Sequence, residues 1–125
     1  MKISKLEASY LAGYFDGEGT IGVSSNRFNI RIGIHTCFPK IVNRLHKLFG
    51  GYFLKRVSKN SKWRSSFWWE IGGEKAANIL RILLPYLIEK KSQARLAILY
   101  RKTKCPIRRS EINTQLSALK RVTYK

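Results

Sequence analysis

The sequence predicts an α+β fold: an αββαββα order with one four-stranded antiparallel sheet, a saddle backed by helices, and additional C-terminal helices. Three observations carry this. "SKLEASYLAGYF" repeats apolar residues at helical spacing, whereas "RFNIRIGIH" alternates apolar and polar residues at the period of a strand. Two such strand pairs are separated by "PKIVNRLHKLFGG", whose Pro39 and Gly50 mark a helix start and stop.

Each element has a local reason. Ser4 is placed to cap the first helix, with Leu6, Leu11, Tyr14 and Phe15 on its apolar side and a stop at Asp16-Gly17. "TIGVSSN" and "RFNIRIGIH" form the first hairpin; Phe28, Ile30, Ile32 and Ile34 point one way, and Asn29, Arg31, Gly33 and His35 the other. "YFLKRVSK" and "WRSSFWWEI" form the second, with Trp69 sharing the core parity of Phe67 and Ile71, and Trp68 the opposite one. Helices follow in "EKAANILRILLPYL", ended by Pro85, in "KKSQARLAILYRK", and in a tail beginning at Ser110. The 125 residues read as a single domain with a core over roughly 6–102 and a helical tail over 103–125.

Composition narrows the partner. Twenty-five Lys and Arg against seven acids leave a net charge of +18. Such an excess repels itself and favours a polyanion, nucleic acid first. Cys37 and Cys105 are too few for a zinc site, even with His35 and His46, and are expected as reduced thiols of an intracellular, non-secreted protein. The longest apolar run, 79–88, contains Arg81 and Pro85, so no membrane partner is expected.

If alternation holds, one sheet face presents Ser24, Asn26, Asn29, Arg31, His35, Arg56, Ser58, Arg64, Ser66, Trp68 and Glu70. These side chains suit base edges: Arg for guanine, Asn for adenine, Glu for the cytosine amine. Arg27 lies in the same hairpin, and Lys55, Lys59 and Lys62 flank the second loop, suited to phosphates.

Two of the few acids stand one residue apart in "LAGYFDGEGTI". Asp16 and Glu18, with the Gly17 carbonyl, offer the oxygen donors Mg²⁺ prefers. The alternative is local: Asp16 caps something, Glu18 is solvated, and the glycines serve the turn.

The longer stretch resembles the signature of the LAGLIDADG homing endonucleases: Leu11-Ala12-Gly13, two large apolar residues, Asp16, a small residue, an acid, Gly19. "GIHTCFPKIVNRLHKLFGG" and "LLPYLIEKKSQARLAI" resemble further segments of that family, over roughly residues 6–100. The resemblance implies a site-specific endonuclease that hydrolyses double-stranded DNA with a divalent cation, Mg²⁺ or Mn²⁺. With one signature per chain, it implies a homodimer, a long pseudo-palindromic target and staggered ends. It further implies Glu18 as metal ligand with the Gly17 carbonyl and Asp16, and Lys90 and Lys40 as basic residues at the scissile phosphate, with Lys91 beside DNA. Thr36 takes the place where the family often has a water-positioning Gln. The signature helix would pair through Leu11, Ala12, Gly13, Phe15 and Asp16. A different reading of the same scaffold is a non-catalytic intron RNA maturase or a DNA-binding regulator.

Overall fold

The computed structural model describes residues 3–24, 29–57, 59 and 65–122. Along the chain run α1 (Lys5–Glu18), β1 (Gly19–Ser24), β2 (Asn29–Thr36), α2 (Pro39–Phe49), β3 (Tyr52–Arg56), β4 (Ser66–Gly72), α3 (Gly73–Leu83), a 3-10 turn (Leu84–Tyr86), α4 (Lys91–Lys102) and α5 (Pro106–Val122). The strands form one antiparallel sheet in the order β1-β2-β4-β3.

Ser4 caps α1 as expected, its hydroxyl accepting from the Glu7 N–H at 3.1 Å. The helix does not stop at Asp16-Gly17. It runs through Glu18 and passes directly into β1 at Gly19, whose N–H bonds back to the Phe15 carbonyl. A Cβ on Gly19 would overlap the Phe15 ring, so glycine is what allows this junction. Pro39 and Gly50 delimit α2 as read from sequence. The tail helix starts at Pro106, four residues before Ser110, because proline suits a first helical turn.

The register puts Ile21, Ile32 and Ile71 in one row and Ile34 and Trp69 in another, all on the face that packs against α1–α4. Ile30, Ile32 and Ile34 are buried as alternation requires; Phe28 lies outside the described residues. Trp69 is buried among them and donates its indole N–H to the Gly50 carbonyl at 2.7 Å. Ile112 and Leu116 of α5 join the same core, α5 packing on α4.

Leu6 is a correction. It is 84% exposed, and the packed side of α1 is Ala8, Leu11, Ala12 and Phe15. α1 is fastened to α2 by Arg44, whose Nε and Nη2 donate to the two Glu7 carboxylate oxygens at 2.9 and 2.7 Å. The Glu7 carboxylate raises the Arg44 pKa above its usual value.

Gly50 and Gly51 both hold positive φ, 74° and 92°, before β3. A Cβ at Gly50 would meet open space, but at Gly51 it would come within 2.6 Å of the Glu70 carbonyl. Gly50→Ala is therefore expected to cost about 1–2 kcal/mol of backbone strain. Gly51→Ala should cost about 2–5 kcal/mol, because overpacking adds to the strain. Urea unfolding of the two variants measures the difference; equal losses would contradict the β3–β4 register.

Candidate functional site

The end of α1 carries both acids, in different circumstances. The Asp16 carboxylate is occupied within the chain. Its Oδ2 accepts from the Ile88 N–H at 2.7 Å and its Oδ1 from the Lys90 N–H at 3.0 Å. The Lys90 ammonium returns the contact, donating to the Asp16 main-chain carbonyl at 2.6 Å. This supplies what α1 lacks, since no basic residue of its own stands in its last turn to meet the unpaired carbonyls. Asp16 is thus turned to the 88–90 segment, a cap across 72 and 74 residues of sequence rather than a contact of the open helix face.

Glu18 is the contrast. Of the seven acids, Glu7, Glu70, Glu74 and Glu111 are paired to arginines, and Asp16 holds backbone N–H groups. Among the described residues Glu89 and Glu18 have no hydrogen bond or ion pair, although the chain offers 25 cations, and of these two only Glu18 ends a helix. Glu18 is exposed on the last residue of that helix, where the dipole is negative and a carboxylate is disfavoured. The Gly17 backbone beside it is exposed too. No group of three His, Cys, Asp or Glu able to hold a metal occurs among the described residues.

Next to this end lies a recess lined by Asp16, Gly19, Thr20, Glu89, Lys90, Gln93 and Lys120. Gln93 is buried, and partial desolvation pushes the Lys120 ammonium below its usual pKa. Neither residue stands out in the sequence. Lys120 comes from the far end of α5, which also reaches the sheet face bearing Arg31, Gly33 and Trp68, so that face is not left wholly clear of helices. Lys40 stands exposed in the first turn of α2 and Lys91 half-buried in that of α4.

Two sets of expected site residues are turned inward. Thr36 is buried, its hydroxyl 2.9 Å from the Tyr14 hydroxyl and accepting from the Phe38 N–H at 3.3 Å, so two of its three hydrogen-bonding sites hold the end of β2. Leu11, Ala12 and Phe15 are no interface: all three lie in the core of their own chain. The open side of α1 is Leu6, Tyr10, Gly13 and Gly17, spaced four, three and four residues apart, and a Cβ on either glycine would meet nothing within 4 Å.

On the sheet face opposite the packed isoleucines, the register assembles Asn29, Arg31, His35, Tyr52, Leu54, Arg56, Ser66, Trp68 and Glu70. Arg31 and Glu70 lie 3.8 Å apart across it. Tyr52 and Leu54 are additions, legible in hindsight from the alternation of "YFLKR". Lys55 falls on the helix side, its ammonium 5.9 Å from the Phe67 ring centre. Lys59 is exposed, and Ser24 is the last residue of β1; Asn26, Arg27, Ser58, Lys62 and Arg64 lie outside the described residues.

A helix ending in acids, a four-stranded antiparallel sheet and four further helices match solved structures. The homing endonuclease I-CvuI in complex with its target in the presence of calcium superposes with a TM-score of 0.69 at 18% identity, over 92% of this chain and 82% of that one. The fold is that of the LAGLIDADG homing endonucleases. A second I-CvuI complex, on the I-CreI target with magnesium and its DNA not cleaved, gives a TM-score of 0.71 at 18% identity and the same coverage. The archaeal intron-encoded homing endonuclease I-Vdi141I, complexed with DNA, gives 0.67 at 14% identity over 91% of this chain and 84% of its own. No protein-family model and no curated protein sequence matches the chain. The homing-endonuclease fold is thus reached at 14–18% sequence identity to these structures. No helix of the described residues is long and apolar enough to cross a membrane.

The two acids are separable by stability. Asp16→Ala removes two backbone hydrogen bonds to a charged acceptor and is expected to cost about 2–4 kcal/mol. Glu18→Gln, which removes a charge from the wrong end of a helix dipole, should leave stability unchanged or raise it by about 0.5 kcal/mol. Thermal unfolding compares them, and faster amide exchange at Ile88 and Lys90 in Asp16→Ala locates the loss.

Proposed function

We propose that this chain is one subunit of a homodimeric, metal-dependent, site-specific endonuclease for double-stranded DNA. The observation that carries the reading is Glu18: a carboxylate without a partner among the described residues, at the negative end of a helix, in a chain of net charge +18. Such a group costs stability and is explained by a cation that arrives with the substrate. The solved neighbours of this fold, each held with DNA, support DNA as that substrate.

The donors fit a hard divalent cation such as Mg²⁺ or Mn²⁺. The Glu18 carboxylate and Gly17 carbonyl would hold it, with Asp16 retaining unused lone pairs. One chain offers too few ligands; a second chain brings its own Glu18, and the substrate brings phosphate oxygens. The chemistry such an ion supplies is neutralisation of phosphate charge and activation of water. The chain's own residues do the remaining work. Lys90, pinned at the end of α1, and Lys40, at the start of α2, place ammonium groups against charge building on the phosphate. Arg31, His35, Arg56, Asn29, Ser66, Trp68 and Glu70 face the bases, and Lys59 and Lys91 the backbone.

Dimerisation runs through the open stripe Leu6, Tyr10, Gly13 and Gly17, not through the buried residues. Two bare glycines on one helix face let a second helix approach closely, and a two-fold axis there brings the two Glu18 ends together. The target is then pseudo-palindromic and the double-strand cut staggered.

Incubated with a large duplex library and Mg²⁺, the protein is expected to yield recurrent staggered ends at one long pseudo-palindrome. Glu18→Gln should keep duplex affinity within about 2-fold and lose more than about 100-fold in cutting. Tight binding without any enriched ends would transfer the scaffold to intron RNA maturation or DNA regulation. Gly13→Leu points into open space and should fold at least as well as the parent, yet light scattering should report 14.5 kDa in place of twice that mass. A parent already at 14.5 kDa on its DNA would refute the dimer.

A further inference from the structure

The sheet face proposed to meet bases is not uniformly polar. Tyr52, Leu54 and Trp68 line an open recess of about 400 Å³ together with His35, Arg56 and Ser66. The register builds it: Leu54, Trp68 and His35 share one row across β3, β4 and β2, with Tyr52 and the Arg56–Ser66 pair on either side. Tyr52 is 54% exposed and Leu54 38%. The floor is rigid. The Trp68 indole lies over Gly33 of the neighbouring strand, where a Cβ would come within 3.1 Å of the ring, and the His35 ring stands 6.0 Å from it.

An exposed apolar floor with a cationic rim is poorly suited to phosphate, which needs donors. It suits a base edge carrying an apolar group. In the major groove, which admits a two-stranded ribbon such as β3–β4, the only apolar group displayed is the C5-methyl of a pyrimidine. Thymine pairs that methyl with an O4 acceptor, whereas 5-methylcytosine pairs it with an N4 donor. Arg56, on the rim, can only donate.

We propose that the Tyr52–Leu54–Trp68 recess reads the 5-methyl group of one thymine in each half-site, with Arg56 on its O4. The inference rests on the DNA-binding reading above. It makes these side chains specificity determinants, and it fixes one symmetric pair of target positions as thymine.

The test is a binding selection in EDTA, so that cutting plays no part. Random duplex libraries are made with either dTTP or dUTP, which differ only in that methyl. The thymine library should give a pseudo-palindrome with an invariant thymine pair. In the selected site, uracil at that pair should weaken binding about 4-fold per half-site and about 15-fold for both, the worth of one buried methyl each. Uracil elsewhere should matter less. 5-Methylcytosine at the pair should bind less well than thymine. The double variant Tyr52→Ser, Leu54→Ser changes only exposed side chains. It should bind thymine and uracil sites alike while keeping its preferences at other positions. The proposal is overturned if no thymine-to-uracil change weakens binding, if the loss persists in the double variant, or if 5-methylcytosine equals thymine. Indifference to the methyl combined with a large loss in Trp68→Ala would mean stacking on a base face and would overturn it too. No duplex enriched from either library would refute the DNA reading itself, and this inference with it.

Discussion

Everything at the site depends on the junction where α1 becomes β1 with no residue between them. Phe15 is buried against the sheet, and its ring fills the place a side chain at Gly19 would need. The helix is therefore drawn against the strand that follows it, and Glu18 is held at the corner. Ala8, Leu11 and Ala12 complete the packed side, so the orientation of α1 is set by the core of its own chain. The opposite stripe, the acids at the end and the lysine that meets them all inherit that orientation.

The charge distribution follows from the same economy of acids. Five of the seven spend their charge inside the chain, on arginines or on backbone N–H groups. Exposed ion pairs of this kind contribute little to stability, so they do not offset the self-repulsion of a +18 chain. A polyanion bound as proposed above would supply that compensation from outside.

How much of this the sequence disclosed divides by range. Signals that act within a few residues were legible: Ser4 as cap, Pro39 and Gly50 around α2, the alternation of β2, the parity of Trp69 against Trp68. What required the third dimension was not. α1 is apolar on two sides, so periodicity alone could not say which of Leu6 and Leu11 was buried. The Thr36 hydroxyl meets that of Tyr14, twenty-two residues away, a contact no local pattern discloses. Asp16 and Lys90 are 74 residues apart, and nothing local tells a capping carboxylate from a ligand. The end of α5 reaches the sheet only through its packing on α4, so Lys120 carried no mark in the chain.

The pleat of β2 and β4 has a consequence for how such a protein changes over generations. Residues holding the core together and residues facing outward alternate along the same strands, so the two sets are substituted independently. A new outward side chain at Arg31 or His35 leaves Ile32 and Ile34 where they were. Recognition can therefore drift one position at a time on an unchanged scaffold. Gly33 is the exception. Any side chain there would lift the Trp68 ring from its seat and press on the Trp69 carbonyl, 2.9 Å away, so this one outward position is locked by both neighbours at once.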